Sequence, residues 1–437
     1  MRFKTLALAG ALAVCPWLCH AQATAAMAGP QASELSATPP LTLDEALRLA
    51  DTAHPAIRLK QAQRAAAEGA RADAAAPLYN NPQLALENTR RTVPQAGLPG
   101  ARRSEWSAGL SQTFELAGQQ GHRRQASEAA LAALRAEIED ARRQLRGEVA
   151  RAHYRVLASQ QRVEVEAEAL KLFDSTAAAV EKRRAAGEDT RLDANVALVE
   201  AERARNQLAL AQEQLLEARA ALADQLQLPP GQLPAASGDL TDRALTSPTL
   251  EALLTAIDQQ PRLRALVARQ DSARARLNLE QASRYPDVSV GLNVGREGPG
   301  DTRERLTTLS VSLPLPLFKP NATGIGQAGS DLSLAQIERE TAARELRAQA
   351  HTLWSRLQSL QARVHRLQTT VLPALSQNQQ LSLKSQRAGQ IGLLELIVVN
   401  RQALDAHRDL IDALADTQAA RCALDALVGW PQQGQQP

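Results

Sequence analysis

The sequence predicts a mostly α-helical fold with a small β part, made of one unit used twice. Each unit is a helix, a two-stranded hairpin and a long helical hairpin. Three observations predict this. The chain of 437 residues contains only 3% aromatics and is dominated by Ala, Leu, Arg, Glu and Gln, which favour helix. Glu45-Ala46-Leu47, Pro55 and Arg58 return 206 positions later as Glu251-Ala252-Leu253, Pro261 and Arg264. Four short segments alternate apolar and polar residues with the period of a strand. A repeat of that length exceeds the ~20–50 residues of a solenoid unit, so it marks two copies of a large supersecondary unit.

Residues 1–23 read as a secretory leader. Arg2 and Lys4 precede an apolar stretch from Leu6 to Leu18, and Ala21-Gln22-Ala23 places cleavage after Ala21 or Ala23. Val14 and Leu18 precede Cys15 and Cys19, where a lipidation signal wants a small residue. Loss of Arg2 and Lys4 takes the formal charge from +3 to +1. With basic and acidic residues interspersed along helices, a nucleic-acid footprint is not expected. Only Cys422 remains in the mature chain, which excludes an internal disulfide. No run of 18 apolar residues follows the leader, so any membrane crossing must be made by strands.

Residues 24–40 are Ala/Pro/Ser-rich and read as extended. The first repeat covers 41–227. Its helix starts at Thr42, with Glu45 three residues on as a capping box, and Pro55 interrupts it. Pro77 and Asn80-Asn81-Pro82 stop the next helix. Strands are expected at about 83–89 and 105–116. In the second, Trp106, Ala108, Leu110, Phe114 and Leu116 share one face, broken by Gln112. An Arg-rich loop, Arg90 to Arg103, is expected between them. A helical hairpin follows at about 119–227, reversing near Gly187. A linker at 228–248 leads to the second repeat, 249–431. Its strands are expected at about 287–295 and 305–315, and its hairpin at about 330–427, reversing at Ala388-Gly389 with a kink at Pro373. Residues 432–437 are a tail.

The strands are close to the ~9–11 residues that cross a bilayer at a tilt. Of the nine aromatics left after cleavage, Tyr79, Trp106, Phe114, Tyr285 and Phe318 lie in or beside the strands, as in an interfacial girdle. Four strands cannot close a barrel without leaving unpaired edges in lipid. Three copies would supply twelve, and the helical hairpins would continue that barrel as a helical tube. The residues themselves thus point to an oligomeric conduit. A periplasmic coiled-coil scaffold or adaptor is the competing reading, and the four alternating strands speak against it.

Enzyme signatures are missing. The mature histidines (His54, His122, His153, His351, His365 and His407) form no HExxH, and there is no CxxC, phosphate loop or GxSxG elbow. No catalytic, cofactor or metal residue is expected. Arg90, Arg91, Arg102 and Arg103 could meet lipid phosphates, although a solvated loop is the plainer reading.

Several segments carry a resemblance. They are Leu41-Thr42-Leu43-Asp44-Glu45-Ala46-Leu47 with Pro55, Gln112-Thr113-Phe114-Glu115-Leu116-Ala117-Gly118, and Pro314-Leu315-Pro316-Leu317-Phe318 with Asn321. In this order and spacing they resemble the TolC-like outer-membrane efflux family over about Leu41 to Pro431. The strand-end versions look most like its CzcC-like heavy-metal branch. The resemblance implies a homotrimer in outer-membrane lipid, with a twelve-stranded β-barrel and a periplasmic α-helical barrel. It further implies a periplasmic membrane-fusion adaptor and an inner-membrane pump of the resistance-nodulation-division class. Its cargo would be heavy-metal cations, with multidrug export or type I secretion as alternatives, and it would perform no catalysis. It also implies adaptor-docking tips at Arg184, Gly187, Thr190, Arg191 and Leu192, and at Arg387, Gly389, Gly392 and Leu394. Gln390 and Ile391 stand where the family often has acidic gate residues. Glu188, Asp189 and Asp193 are the nearest acids for a pore entrance, or else carboxylates drawn to a helix N-terminus.

Overall fold

The computed structural model describes residues 40–95, 98–241, 248–298 and 303–429. The leader, nearly all of the 24–40 segment, residues 242–247 of the linker and the tail lie outside the described residues. Helix α1 (Leu43–Ala53) opens on the expected capping box. Thr42 accepts from the Glu45 N–H, and the Glu45 carboxylate accepts the Thr42 N–H at 3.0 Å. Pro55 is the first residue of α2 (Pro55–Ala75), where its missing N–H costs nothing. Strands β1 (Gln83–Gln95) and β2 (Leu98–Phe114) follow, then α3 (Gln119–Ala185) and α4 (Arg191–Gln225).

The second repeat runs through α5 (Leu250–Ile257), α6 (Pro261–Ala282), β3 (Val288–Glu297), β4 (Glu304–Ser312), α7 (Ala322–Arg366), α8 (Leu372–Arg387) and α9 (Leu393–Val428). Matching points of the two copies solve the same local problem. Pro261 begins α6 as Pro55 begins α2. Where strand turns into long helix, the N-cap is left-handed in both copies: Gly118 at φ 75° and Asn321 at φ 56°. Asparagine tolerates that conformation. Here its amide also donates to the Glu280 carboxylate and carbonyl, at 2.8 and 2.9 Å.

The strands form one antiparallel sheet in the order β1-β2-β3-β4. The two repeats meet in its middle, where β2 pairs β3 from Phe114↔Val288 to Trp106↔Arg296. The Arg90–Arg103 loop expected from the sequence is not a loop. The β1–β2 ladder continues through Arg90↔Ser104 and Thr92↔Arg102 to Gln95↔Leu98, with a register shift between Val93 and Gln95. The polar composition that reads as a loop belongs to the outer part of a long hairpin. Pro94 fits there because β1 is an edge strand and the shift beside it interrupts the ladder. Strand β2 ends at Phe114, short of the expected Leu116, and β4 ends at Ser312. Pro314 and Pro316, which have no N–H, follow β4. Helix α7 begins at Ala322, eight residues before the expected 330.

Helix α3 has 67 residues, so it is roughly 100 Å long. It packs against α1, α2 and α6 and against α4 and α9. The seams are lined with small residues at heptad spacing: Ala197, Ala204, Ala211 and Ala218 on α4, and Ala328, Ala335 and Ala342 on α7. A seven-residue repeat keeps one seam facing its partner as the helices supercoil. At Gly147 of α3 a Cβ would come within 2.9 Å of Ala426 on α9, so glycine permits that close approach. Pro373 follows a π-helical turn at Leu367–Val371, where the Leu372 N–H bonds back to the Leu367 carbonyl. A proline ring crowds the carbonyl four residues earlier, and the wider turn relieves that crowding. The proline at which the sequence suggests a kink thus sits beside a π-helical turn.

The largest core joins both repeats around α1, combining Ala46, Leu47 and Ile57 with Val149 and Val156 of α3, Leu222 of α4 and Leu414 of α9. His153 (1% exposed) ties this core to the segment leading into α1, with Nε2 3.0 Å from the Leu41 carbonyl. Its other ring nitrogen is buried without a partner. Burial holds the imidazole pKa below its ordinary value, against the smaller opposing effect of the Leu41 bond. A lowered histidine pKa means that the unfolded chain binds the proton more readily, so this stability is present above about pH 6.5 and lost as the pH falls. The melting temperature should therefore drop between pH 7 and pH 5 in calorimetry. His153→Gln should flatten that drop by removing the titrating group.

Candidate functional site

Strand alternation sorts the sheet residues onto two faces. One face carries Leu84, Leu86, Leu110, Leu292, Leu309 and Val311, each between 51% and 73% exposed. The other carries Ser111, Thr113, Ser289, Asn293, Ser310 and the glycines Gly109 and Gly291. It also carries Glu87, Glu105, Glu297 and Glu304, with Arg91 among them 3.6 Å from Glu105 and 3.9 Å from Glu297. Gln112, the one break in the apolar pattern of β2, turns to the base of the sheet, where its amide donates to the Asn80 carbonyl at 2.7 Å.

The five singled-out aromatics lie at two levels. Phe114 (β2), Tyr79, Tyr285 and Phe318 lie at the helix-proximal end of the sheet, and Phe318 is 92% exposed. Trp106 shares the apolar face eight residues outward from Phe114, roughly 26 Å along the strand and 46% exposed. The base is held by a two-pronged ion pair, with Arg123 donating to both Glu115 oxygens at 2.6 and 2.7 Å. The same guanidinium stacks 3.5 Å from the centre of the Tyr79 ring. Gln119, 2% exposed, donates to the Tyr285 carbonyl and so joins the repeats at this level.

The far ends of the two helical hairpins have nearly identical backbones. Gly187 (φ 83°) and Gly389 (φ 71°) are left-handed. The Gly187 N–H reaches the Arg184 carbonyl and the Glu188 N–H the Arg183 carbonyl, both at 3.0 Å. The Gly389 and Gln390 N–H groups reach Gln386 and Ser385 in the same pattern at 2.9 Å. This is a helix C-cap that glycine favours. Thr190 caps α4 and Gly392 caps α9. As the second residue of each following helix, Leu192 and Leu394 stand 71% and 66% exposed at equivalent positions. Arg191 and Arg387 are exposed, and Arg184 is occupied by Glu181 on its own helix.

The three candidate entrance acids have different fates. The Asp193 carboxylate is a cap, accepting from the Thr190 N–H and hydroxyl at 3.2 and 2.6 Å. Asp189 pairs with Arg183 at 2.7 Å. Glu188 is exposed, with no ion pair to a described residue. Sequence reasoning missed a different constellation between the hairpins. Glu166 of α3, 1% exposed, is held by Arg162 at 2.8 Å and by Arg408 of α9 at 2.5 Å, and Glu200 of α4 is held by Arg401 of α9. Glu166 falls in the seven-residue register of the buried Leu131, Ile138, Leu145, Phe173 and Val180, which was a clue to its burial though not to its partner. Among the described residues, no three His, Cys, Asp or Glu side chains are placed to hold a metal ion, and no helix is long and apolar enough to cross a membrane.

A sheet with one exposed apolar face, set on helices of which the longest is roughly 100 Å, fits a protein that crosses its membrane by strands. Residues 46–226 and 253–430 each match the family model described as outer membrane efflux protein. The chain belongs to that family. It is an outer-membrane efflux channel with a large periplasmic helical portion, and it is not an enzyme.

Among individual proteins it is similar to the cobalt-zinc-cadmium resistance protein CzcC of Cupriavidus metallidurans. The two are 26% identical over 392 residues, which is 89% of this chain and 90% of that protein. Among solved structures, the outer membrane protein VceC of Vibrio cholerae superposes with a TM-score of 0.73 at 20% identity, covering 89% of this chain and 96% of that one. CusC gives 0.73 at 18% identity, covering 91% and 96%. The open state of the MtrE channel of Neisseria gonorrhoeae gives 0.71 at 19%, covering 89% of each chain. These structural likenesses concern the fold.

A Cβ at Gly187 or Gly389 would meet no atom within 4 Å, so the left-handed backbone is what demands glycine there. Gly187→Val with Gly389→Val should cost about 1–2 kcal/mol at each turn and re-aim the tips while leaving the distant sheet and core intact. The expected outcome is loss of export with an unchanged assembly size, read by a transport assay and by native electrophoresis.

Proposed function

We propose that the chain forms the outer-membrane channel of a tripartite exporter of heavy-metal cations. In this reading three copies pool their strands into a twelve-stranded barrel, continued by a periplasmic helical barrel. The channel is passive. A periplasmic membrane-fusion adaptor docks on the hairpin tips, and an inner-membrane pump of the resistance-nodulation-division class selects and drives the cargo. Leu192 and Leu394, beside the cap residues Thr190 and Gly392, would supply the apolar part of the docking surface, and Arg184, Arg191 and Arg387 the polar rim. Glu188 is the acid left for the entrance, since Asp189 and Asp193 have local partners. Tyr79, Trp106, Phe114, Tyr285 and Phe318 would sit at the two bilayer interfaces.

The observation that carries the metal reading is the similarity to the cobalt-zinc-cadmium resistance protein over nearly the whole of both chains. The polar sheet face agrees with it. Among the residues whose side chains are described, that face has four carboxylates to one arginine. A wall of that sign attracts cations. Deletion of the gene should sensitise cells to cobalt, zinc or cadmium and leave tolerance to apolar drugs unchanged, as read from growth across both panels. Sensitivity to drugs alone would assign the channel to a different exporter.

A further inference from the structure

The outer end of the sheet separates charge by face. In the β3–β4 ladder Arg296 lies directly opposite Arg305, and the next pair outward is Glu297 opposite Glu304. Successive residues point to opposite faces, so the two arginines share the apolar face and the two glutamates share the polar one. Like charges placed directly opposite destabilise a strand pair. Exchanging one member of each pair would have given complementary pairs on both faces, so the segregation points to something outside the sheet that answers the arginines.

Arg90 on β1 lies on the same face, because it alternates in step with Leu84 and Leu86, and it stands two residues outward of Asn88, which faces Trp106 in the Arg296 row. Its neighbour Arg91 turns the other way and pairs with Glu105 and Glu297. Arg90, Arg296 and Arg305 are all exposed, and none forms an ion pair with a described carboxylate. Each stands four residues, roughly 13 Å, outward from an exposed leucine of the same face: Leu86, Leu292 and Leu309. Trp106, opposite Arg296, lies in the same row. Free inorganic phosphate would answer the guanidiniums but leave the leucines bare. A molecule with phosphates joined to acyl chains answers both, since guanidinium binds phosphate in a two-pronged geometry and the chains cover the leucines.

We propose that Arg90, Arg296 and Arg305 form a rim that binds the phosphorylated headgroup of an outer-leaflet lipid. The proposal rests on the outer-membrane placement of the sheet and is independent of the cargo. In the test, the full-length channel is offered phosphatidylcholine vesicles doped with a bis-phosphorylated acylated glucosamine lipid, or with the same lipid dephosphorylated. Lipid that co-purifies with the protein is then counted by mass spectrometry. The wild-type channel should retain the phosphorylated form at least about tenfold better, with the preference falling as salt is raised. R90Q/R296Q/R305Q should lose the preference, while R205Q, which removes an exposed arginine on α4, should keep it. Excess inorganic phosphate should leave the lipid bound. Equal retention of the two lipids by wild type would overturn the proposal without recourse to any variant. So would undiminished preference in the triple variant, and complete displacement by inorganic phosphate would assign the rim to the free ion instead.

Discussion

The outer edges of β1 and β4 carry backbone N–H and C=O groups that no described strand of the chain pairs, and the rest of the architecture depends on how those groups are satisfied. In water an open edge is tolerable. In hydrocarbon each unpaired group costs several kcal/mol, so a sheet with an exposed apolar face must have its edges closed. The described residues of one chain supply four strands and an exposed face on which six aliphatic residues are each more than half exposed. Further copies are the economical source of the missing ladders. The face pattern agrees with such closure: aliphatic residues on one face, and serine, asparagine, glycine and carboxylates on the other.

The helical portion meets a different constraint, since it must be long and still pack closely. Alanine at seven-residue intervals on α4 and α7 brings the helices together over many turns with little side-chain volume. Stiffness has to end cleanly at both extremities. At the sheet end a left-handed Gly118 or Asn321 redirects the chain, and at the far end Gly187 and Gly389 do so. Between them the buried carboxylates of Glu166 and Glu200 bind α9 to the first hairpin through Arg408 and Arg401. Removing either arginine would leave a carboxylate buried without a full complement of partners, a costly state. These pairs therefore fix how the two repeats sit against each other.

Much of this was legible in the residues. The capping box at Thr42, the paired prolines Pro55 and Pro261, the alternation in β2 to β4 and the glycine reversals are local signals, and local physics decides them. What misled was composition. The run from Arg90 to Arg103 has too few apolar residues to look like strand, because it extends past the apolar part of the sheet, where nothing demands leucine. The acids near the first tip could not be ranked from sequence, because whether Asp193 caps a helix or lines an opening depends on a hydrogen bond to Thr190. The clamps on Glu166 and Glu200 join residues more than 200 positions apart, a separation at which no pattern reports contact. The arginine rim needed the strand register, which the ladder pairing gives but which the alternation alone leaves free to slip.

Closure of the sheet between copies can be read out by cysteine cross-linking across its two edges. A cysteine at Leu86 on β1 would be combined in turn with one at Thr307, Leu309 or Val311 on β4. Within one chain these strands are three inter-strand spacings apart, roughly 14 Å, which no disulfide can bridge. The native Cys422 is buried, with its thiol pushed up to about 12, and would not interfere. Closure predicts that one of the three combinations yields covalent species of two and three chains and nothing larger. Failure of all three to cross-link in the outer membrane, or a ladder that continues past three chains, would contradict it.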